Sequence, residues 1–153
     1  MKRLFTALIL TMFAYTHINA QNVLNNAADN IVGTYSGVQD GEKFKVKIVK
    51  LKDETYRGQM IWMENDKDEN GNKRLDIKNP DKSLRSTPCD QIVLFSGLKY
   101  DAGDKEWNDA KIYDPRRGIR AKLKICFGKD GRLNVRGSLL GIGETVYWNK
   151  IEK

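Results

Sequence analysis

The stretch Ile119-Arg120-Ala121-Lys122-Leu123-Lys124-Ile125-Cys126-Phe127 decides the fold. Apolar and polar side chains change places at every step, and only an extended strand turns that period of two into one dry face and one wet face. The alternation recurs upstream. Phe44, Val46 and Ile48 interleave with Lys45 and Lys47, and Tyr56, Gly58, Met60 and Trp62 interleave with Arg57, Gln59 and Ile61. Apolar spacing of three and four, which a helix requires, does not develop after Ile31. One wet face per strand points to antiparallel pairing, because parallel strands are buried on both sides.

Outward from these strands lie tight-turn signals. Asp40-Gly41, Asp53-Glu54, Ala102-Gly103-Asp104, Asp114-Pro115-Arg116-Arg117-Gly118, Lys129-Asp130-Gly131 and the pair Gly141 and Gly143 each fall between two alternating runs. Asp-Gly supplies the positive φ values that hairpin turns need. The spacing predicts an all-β fold of about eight strands joined in an up-and-down meander, which removes its exposed edges by closing into a small antiparallel barrel. At that strand number the interior is either filled by side chains or holds one small ligand.

Two segments depart from the meander. Residues 64–90 are too long for a hairpin, and loops of that length usually carry function or disorder. Within them, Asn79-Pro80-Asp81-Lys82-Ser83-Leu84-Arg85 predicts a short helix capped by Asn79, with Pro80 first and Asp81 in its first turn. Residues 21–30 are rich in Asn and Ala and predict a short helix or coil against one barrel end. The barrel domain itself is expected over 31–153.

The start of the chain reads as an address. Lys2 and Arg3 precede an uncharged apolar run over 4–15, and Ile18-Asn19-Ala20 offers a small residue for cleavage, the layout of a secretory signal over 1–20. The run is short of the ~20 residues a membrane-spanning helix needs. The expectation is an exported chain, periplasmic or extracellular, with no transmembrane segment once the signal is removed. His17 is the single histidine of the sequence. Its loss with the signal leaves no imidazole for a Ser-His-Asp triad or a zinc site.

The sequence carries 27 basic and 20 acidic residues, a net charge of +7 that falls to +5 without Lys2 and Arg3. An exported basic protein meets anionic envelope polymers and lipid headgroups, not nucleic acid. Cys89 and Cys126 are the two cysteines. In an oxidising compartment they form either one disulfide or two separate thiols, and spacing does not decide between them.

A family resemblance rests on Ile31-Val32-Gly33-Thr34-Tyr35, Asp76 with Asn79-Pro80-Asp81 and Leu84-Arg85, Trp107, Ile112-Tyr113-Asp114-Pro115 with Gly118, Val135-Arg136-Gly137, and Trp148. With these landmarks the chain resembles an uncharacterised bacterial exported family, domain of unknown function 2147. The resemblance implies a lipocalin-like (calycin) barrel and no activity. The family commonly has tryptophan where this chain has Tyr35, and arginine often follows the last tryptophan where this chain has Lys150. In calycin barrels these two positions stack across the closure, so Tyr35 and Lys150 are expected to form a cation–π pair.

Candidate site residues follow from chemistry. Asp66, Asp68 and Asn70, with Gly71 next, place oxygens at positions one, three and five of a calcium-type loop, although Ile77 stands where a bidentate glutamate belongs. The alternative is a polar Asn-Gly turn extending a hairpin. No other cofactor is indicated. Asp76, Asn79, Arg85, Tyr113 and Asp114 fall where loops meet strands. They either line a pocket mouth, with Arg85 gripping an anion, or fasten the loop, with Asp76 pairing Arg85. Tyr35, at the closure, is counted with them as a candidate ligand contact; Trp62 and Trp148, large and on apolar faces, are the aromatics most expected to touch a barrel ligand.

The expected role is non-catalytic: holding a small, partly apolar molecule or envelope component. The alternative is a protein-interaction or inhibitor module acting through residues 64–90. A carboxylate-based hydrolase using Asp76 and Asp114 ranks behind both.

Overall fold

The computed structural model describes residues 23–151. The signal expected over 1–20 lies outside the described residues. Eight strands run in order: β1 (Gly33–Gln39), β2 (Glu42–Lys50), β3 (Tyr56–Met63), β4 (Val93–Asp101), β5 (Glu106–Asp114), β6 (Ile119–Phe127), β7 (Leu133–Leu139) and β8 (Ile142–Lys150). Each pairs antiparallel with the next, and β1 pairs with β8 to close the barrel. The up-and-down barrel expected from the alternation is the fold observed. No helix among the described residues is long and apolar enough to cross a membrane.

Closure is made where Tyr35 faces Lys150 and Ser36 faces Asn149. The Lys150 ammonium stands 5.8 Å from the Tyr35 ring centre, the cation–π pair expected there. One end of the barrel is packed solid. Tyr35, Val46, Ile48, Tyr56, Phe95, Leu98, Trp107, Leu123, Ile125, Phe127 and Leu133 are buried there. Tyr100, Trp107 and Phe127 meet edge-on or tilted at 5.1 and 5.9 Å.

The segment ahead of β1 plugs this end, as a short 3-10 turn over Ala28–Ile31 and the residues before it. Asn25 exchanges both hydrogen bonds with the Phe127 backbone, donating to its carbonyl (3.0 Å) and accepting from its amide (2.8 Å). The Trp107 indole donates to the Ala28 carbonyl, Tyr100 to that of Asn25 and Tyr35 to that of Ile31. Large aromatics can fill the barrel floor because their polar tips find backbone acceptors in the plug.

Strand phase is not uniform. Lys45 faces Trp62 while Val46 faces Met60, so Ile61 is an extra residue in a β-bulge. The bulge turns the end of β3 over: Met63 now shares the inner face with Phe44, and Trp62 points outward. The alternation Tyr56, Gly58, Met60, Trp62 therefore breaks at its last member. A one-residue insertion flips every side chain beyond it.

The loop over 64–90 contains no α-helix. Its 3-10 turn, Lys82–Leu84, starts after Asp81, whose carboxylate accepts from the Ser83 amide. The helix start expected at Asn79 is corrected by two residues. Asn79 instead makes an Asx-type turn, its side-chain oxygen accepting from the Asp81 amide (2.9 Å). Earlier in the loop, Lys67 and Lys73 bridge as a small hairpin closed by Asp68, Asn70 and Asn72.

Candidate ligand site

Above the packed floor the barrel is hollow. A cavity of about 1360 Å³ opens at the end opposite the plug. Its walls are Phe44, Met60, Met63, Leu94, Ile112 and Ala121, with Val135, Val146 and Trp148 completing the ring. The cause is side-chain size: Ala121 and Gly137 are small neighbours on the inner face, a Cβ on Gly137 lying 3.5 Å from that of Ala121, whereas Leu123, Ile125 and Leu133 fill the floor. The mouth is built from the β1–β2, β5–β6 and β7–β8 turns and the long loop, which bring Glu42, Lys43, Lys73, Arg74, Arg116 and Arg117 to its rim.

Trp148 is 2 % exposed, at the junction of floor and cavity, and meets Phe44 edge-on at 5.9 Å. Its indole nitrogen has no hydrogen-bond partner among the described residues. Gly37 leaves room for this pair, because a Cβ there would collide with the Phe44 ring and lie 2.9 Å from the Trp148 indole.

The long loop forms one wall of the mouth and is fastened from outside the barrel. Tyr113, on the strand face opposite Ile112, donates its hydroxyl to Asp76 Oδ1 at 2.7 Å. Asn79 donates to the other Asp76 oxygen at 2.7 Å. Both Asp76 and Asn79 are buried. Burial, then the hydrogen bond and charge of Asp76, raise the Tyr113 phenol above its ordinary value. Arg120 covers the Tyr113 ring at 5.2 Å. Lys78 donates to the Arg116 carbonyl, and its own carbonyl lies against Gly118.

Of the eight residues proposed as ligand contacts, Asp76, Tyr113, Asp114 and Trp148 line the cavity. The other four are placed elsewhere. Trp62 is 41 % exposed on the outer wall under the Lys45 ammonium, because of the bulge at Ile61. Tyr35 is locked in the floor. Asn79 and Arg85 work within the loop, and Arg85 donates to the Asn79 carbonyl (2.8 Å) instead of pairing with Asp76. Asp114 accepts from the guanidinium of Arg116 and lies 3.4 Å from Arg117.

Met63, Ile112, Val135 and Val146 also line the cavity, although none of them is among the residues singled out from the sequence as candidate contacts. Their alternation marked an inner face but not the height at which packing stops.

Cys89 and Cys126 are separate thiols. Cys89 lines the cavity, whereas Cys126 lies opposite Asn134 on β6. Burial raises both thiols above their ordinary value. In the calcium-type loop Asp66 is ion-paired with Lys73, and Asp68 accepts from the amides of Asn70 and Asn72. Among the described residues no group of three or more carboxylate, thiol or imidazole side chains is arranged to hold a metal ion.

Comparisons place this geometry among known proteins. A solved structure described as protein HP1028 from the human pathogen Helicobacter pylori, belonging to the lipocalin family, superposes with a TM-score of 0.63. The match covers 80 % of this chain and 83 % of that one at 21 % identity, so the likeness is one of fold. No curated protein matches the sequence. The profile of a family described as "Uncharacterized protein conserved in bacteria (DUF2147)" matches residues 33–150, all of the barrel from β1 to β8. The chain belongs to the DUF2147 family, here built as a lipocalin-like barrel.

Proposed function

We propose that the protein is an exported, non-catalytic carrier that holds a small, partly apolar molecule in the upper half of its barrel. The observation that carries this reading is the single-ended cavity: apolar walls, a Trp148 floor and a rim of paired charges. Ligand pockets usually measure roughly 300–1,000 Å³ and combine apolar walls with a few polar groups. The space here, which includes the mouth, is large enough for such a ligand. Export rests on the signal-like residues 1–20.

The interaction-module reading draws less support. It needs residues 64–90 to project, and they are tied to the barrel through Asp76, Lys78 and Arg74, which pairs with Glu42 at 2.8 Å. For a hydrolase, Asp76 and Asp114 are already engaged with Tyr113, Asn79, Arg116 and Arg117.

Two measurements test the carrier. Native mass spectrometry of protein recovered from its own bacterial envelope should show a co-purifying small molecule. Titration with the amphiphilic dye anilinonaphthalene sulfonate should give saturable fluorescence that Ala121→Trp weakens, because the indole intrudes on the cavity wall. Bare protein together with unchanged dye binding by Ala121→Trp would overturn the reading.

A further inference from the structure

Two hairpins at the open end share one backbone and carry opposite chemistry. The β1–β2 turn is Gln39-Asp40-Gly41-Glu42, with φ of 52° at Asp40 and 81° at Gly41. The β7–β8 turn is Leu139-Leu140-Gly141-Ile142, with φ of 51° at Leu140 and 82° at Gly141. Positive φ at both central positions selects Asn, Asp or Gly at the first, and a bulky aliphatic residue there is a genuine outlier. Asp40 satisfies that preference. Leu140 violates it, and it is also 94 % exposed, beside Ile142 at 81 % and Leu139 at 45 %. Backbone preference and hydration both oppose a leucine at this tip, so folding does not account for it.

We propose that the β7–β8 tip is a docking element for an anionic lipid surface, which sets the mouth of the barrel against the membrane. Behind the apolar tip stands a cationic band. Strand pairing sets Lys122 opposite Ser138 and Lys124 opposite Arg136, with Arg120 two residues before Lys122 on the same outer face. At about 3.4 Å per residue, Lys122 lies roughly 7 Å and Arg136 roughly 14 Å behind Leu140, within reach of headgroup phosphates once the tip enters the acyl boundary. Arg136 has no carboxylate within ion-pair distance among the described residues and donates only to the Thr145 hydroxyl. Arg117, on the neighbouring turn, adds a further guanidinium, shared with Glu144 and Asp114.

The shape favours lipid over protein. Three aliphatic side chains on a convex tip fall far short of the roughly 800 Å² per partner of a stable protein interface. A fluid bilayer needs no shape match. Leu139, Leu140 and Ile142 also line the cavity mouth, separated from Val146 on the same face of β8 by Glu144. The proposal goes beyond the carrier reading and stands without it, since it is tested with no cavity ligand present.

The test is flotation of the protein, purified as its host processes it, with vesicles of phosphatidylcholine containing phosphatidylglycerol and with phosphatidylcholine alone. Wild-type protein should float with the anionic vesicles. Leu140→Asn should bind at least tenfold more weakly while melting at the same temperature or higher, because asparagine suits the turn. Arg136→Gln with Lys122→Gln should remove the preference for phosphatidylglycerol. The proposal fails if wild-type protein ignores anionic vesicles, binds both compositions equally, or binds no better than Leu140→Asn. It fails too if sedimentation shows a wild-type dimer that Leu140→Asn dissolves while vesicle binding is absent, since the tip would then join two copies.

Discussion

The Tyr113 hydroxyl and the Asp76 carboxylate, 2.7 Å apart and both buried, join the long loop to the barrel strand that forms its anchor. Asp76 has its second oxygen on Asn79, so the loop turn and the barrel wall share one carboxylate. Removing a hydrogen bond to a buried charged group costs about 1.5–3 kcal/mol. Tyr113→Phe should lower stability by about that much in urea titration and speed proteolysis within residues 64–90. Unchanged stability would show that the phenol contributes nothing to fastening the loop.

Gly118 is the second anchor. Its φ of 68° is left-handed, and a Cβ would run into the Lys78 carbonyl. Gly118→Ala combines an unfavourable backbone with a backbone collision and should cost more than about 1 kcal/mol. The loss should be accompanied by faster amide exchange at Lys78 and Asn79. Exchange unchanged at those amides would separate this turn from the loop.

Trp62 and Trp148 should behave oppositely. Trp62 covers the outer wall, where a cation–π contact with Lys45 is worth about 0.5–1 kcal/mol. Trp62→Ala should therefore leave dye affinity intact and lower stability by no more than that. Trp148→Ala removes a buried ring from the cavity floor and should cost about 3–5 kcal/mol. Iodide should quench Trp62 emission and spare Trp148; the reverse ranking would place the bulge elsewhere.

Acid should loosen the plugged end. Asp29 accepts from Tyr56 (2.6 Å) and from Lys50, and these hydrogen bonds hold its carboxyl below the ordinary 3.8 against the opposing effect of burial. A group whose folded value is depressed contributes stability that is present above its unfolded value and lost as pH falls through the folded one. Stability should hold from neutral pH to about 5 and decline below about 4. The Asp29→Asn variant should show a shallower decline over that window. Identical acid limbs for the two proteins would exclude Asp29 from the transition.

The thiols give a chemical check. Both cysteines are unbonded and raised by burial. Unfolded without reductant, each chain should react with two equivalents of Ellman's reagent. In the folded state alkylation should be slow at neutral pH and quicken as pH rises. Zero equivalents would establish a disulfide and require Cys89 and Cys126 to approach.

Alternation along Ile119–Phe127, repeated between turn signals, determined the strands, their antiparallel pairing and the need to close, because one greasy face per strand must be hidden. It also located Trp148 and the inner faces that became the cavity. What it left open depended on events outside any one strand. The bulge at Ile61 that turns Trp62 outward is set by register with β2. The floor stops where Ala121 and Gly137 meet across β6 and β7, a coincidence of small residues from two strands. Asp76 chose Tyr113 over Arg85 because the loop folds back on the outside of β5. A sequence fixes which way its own side chains face; which of them meet, and where space remains, is decided by three-dimensional packing between segments far apart in the chain.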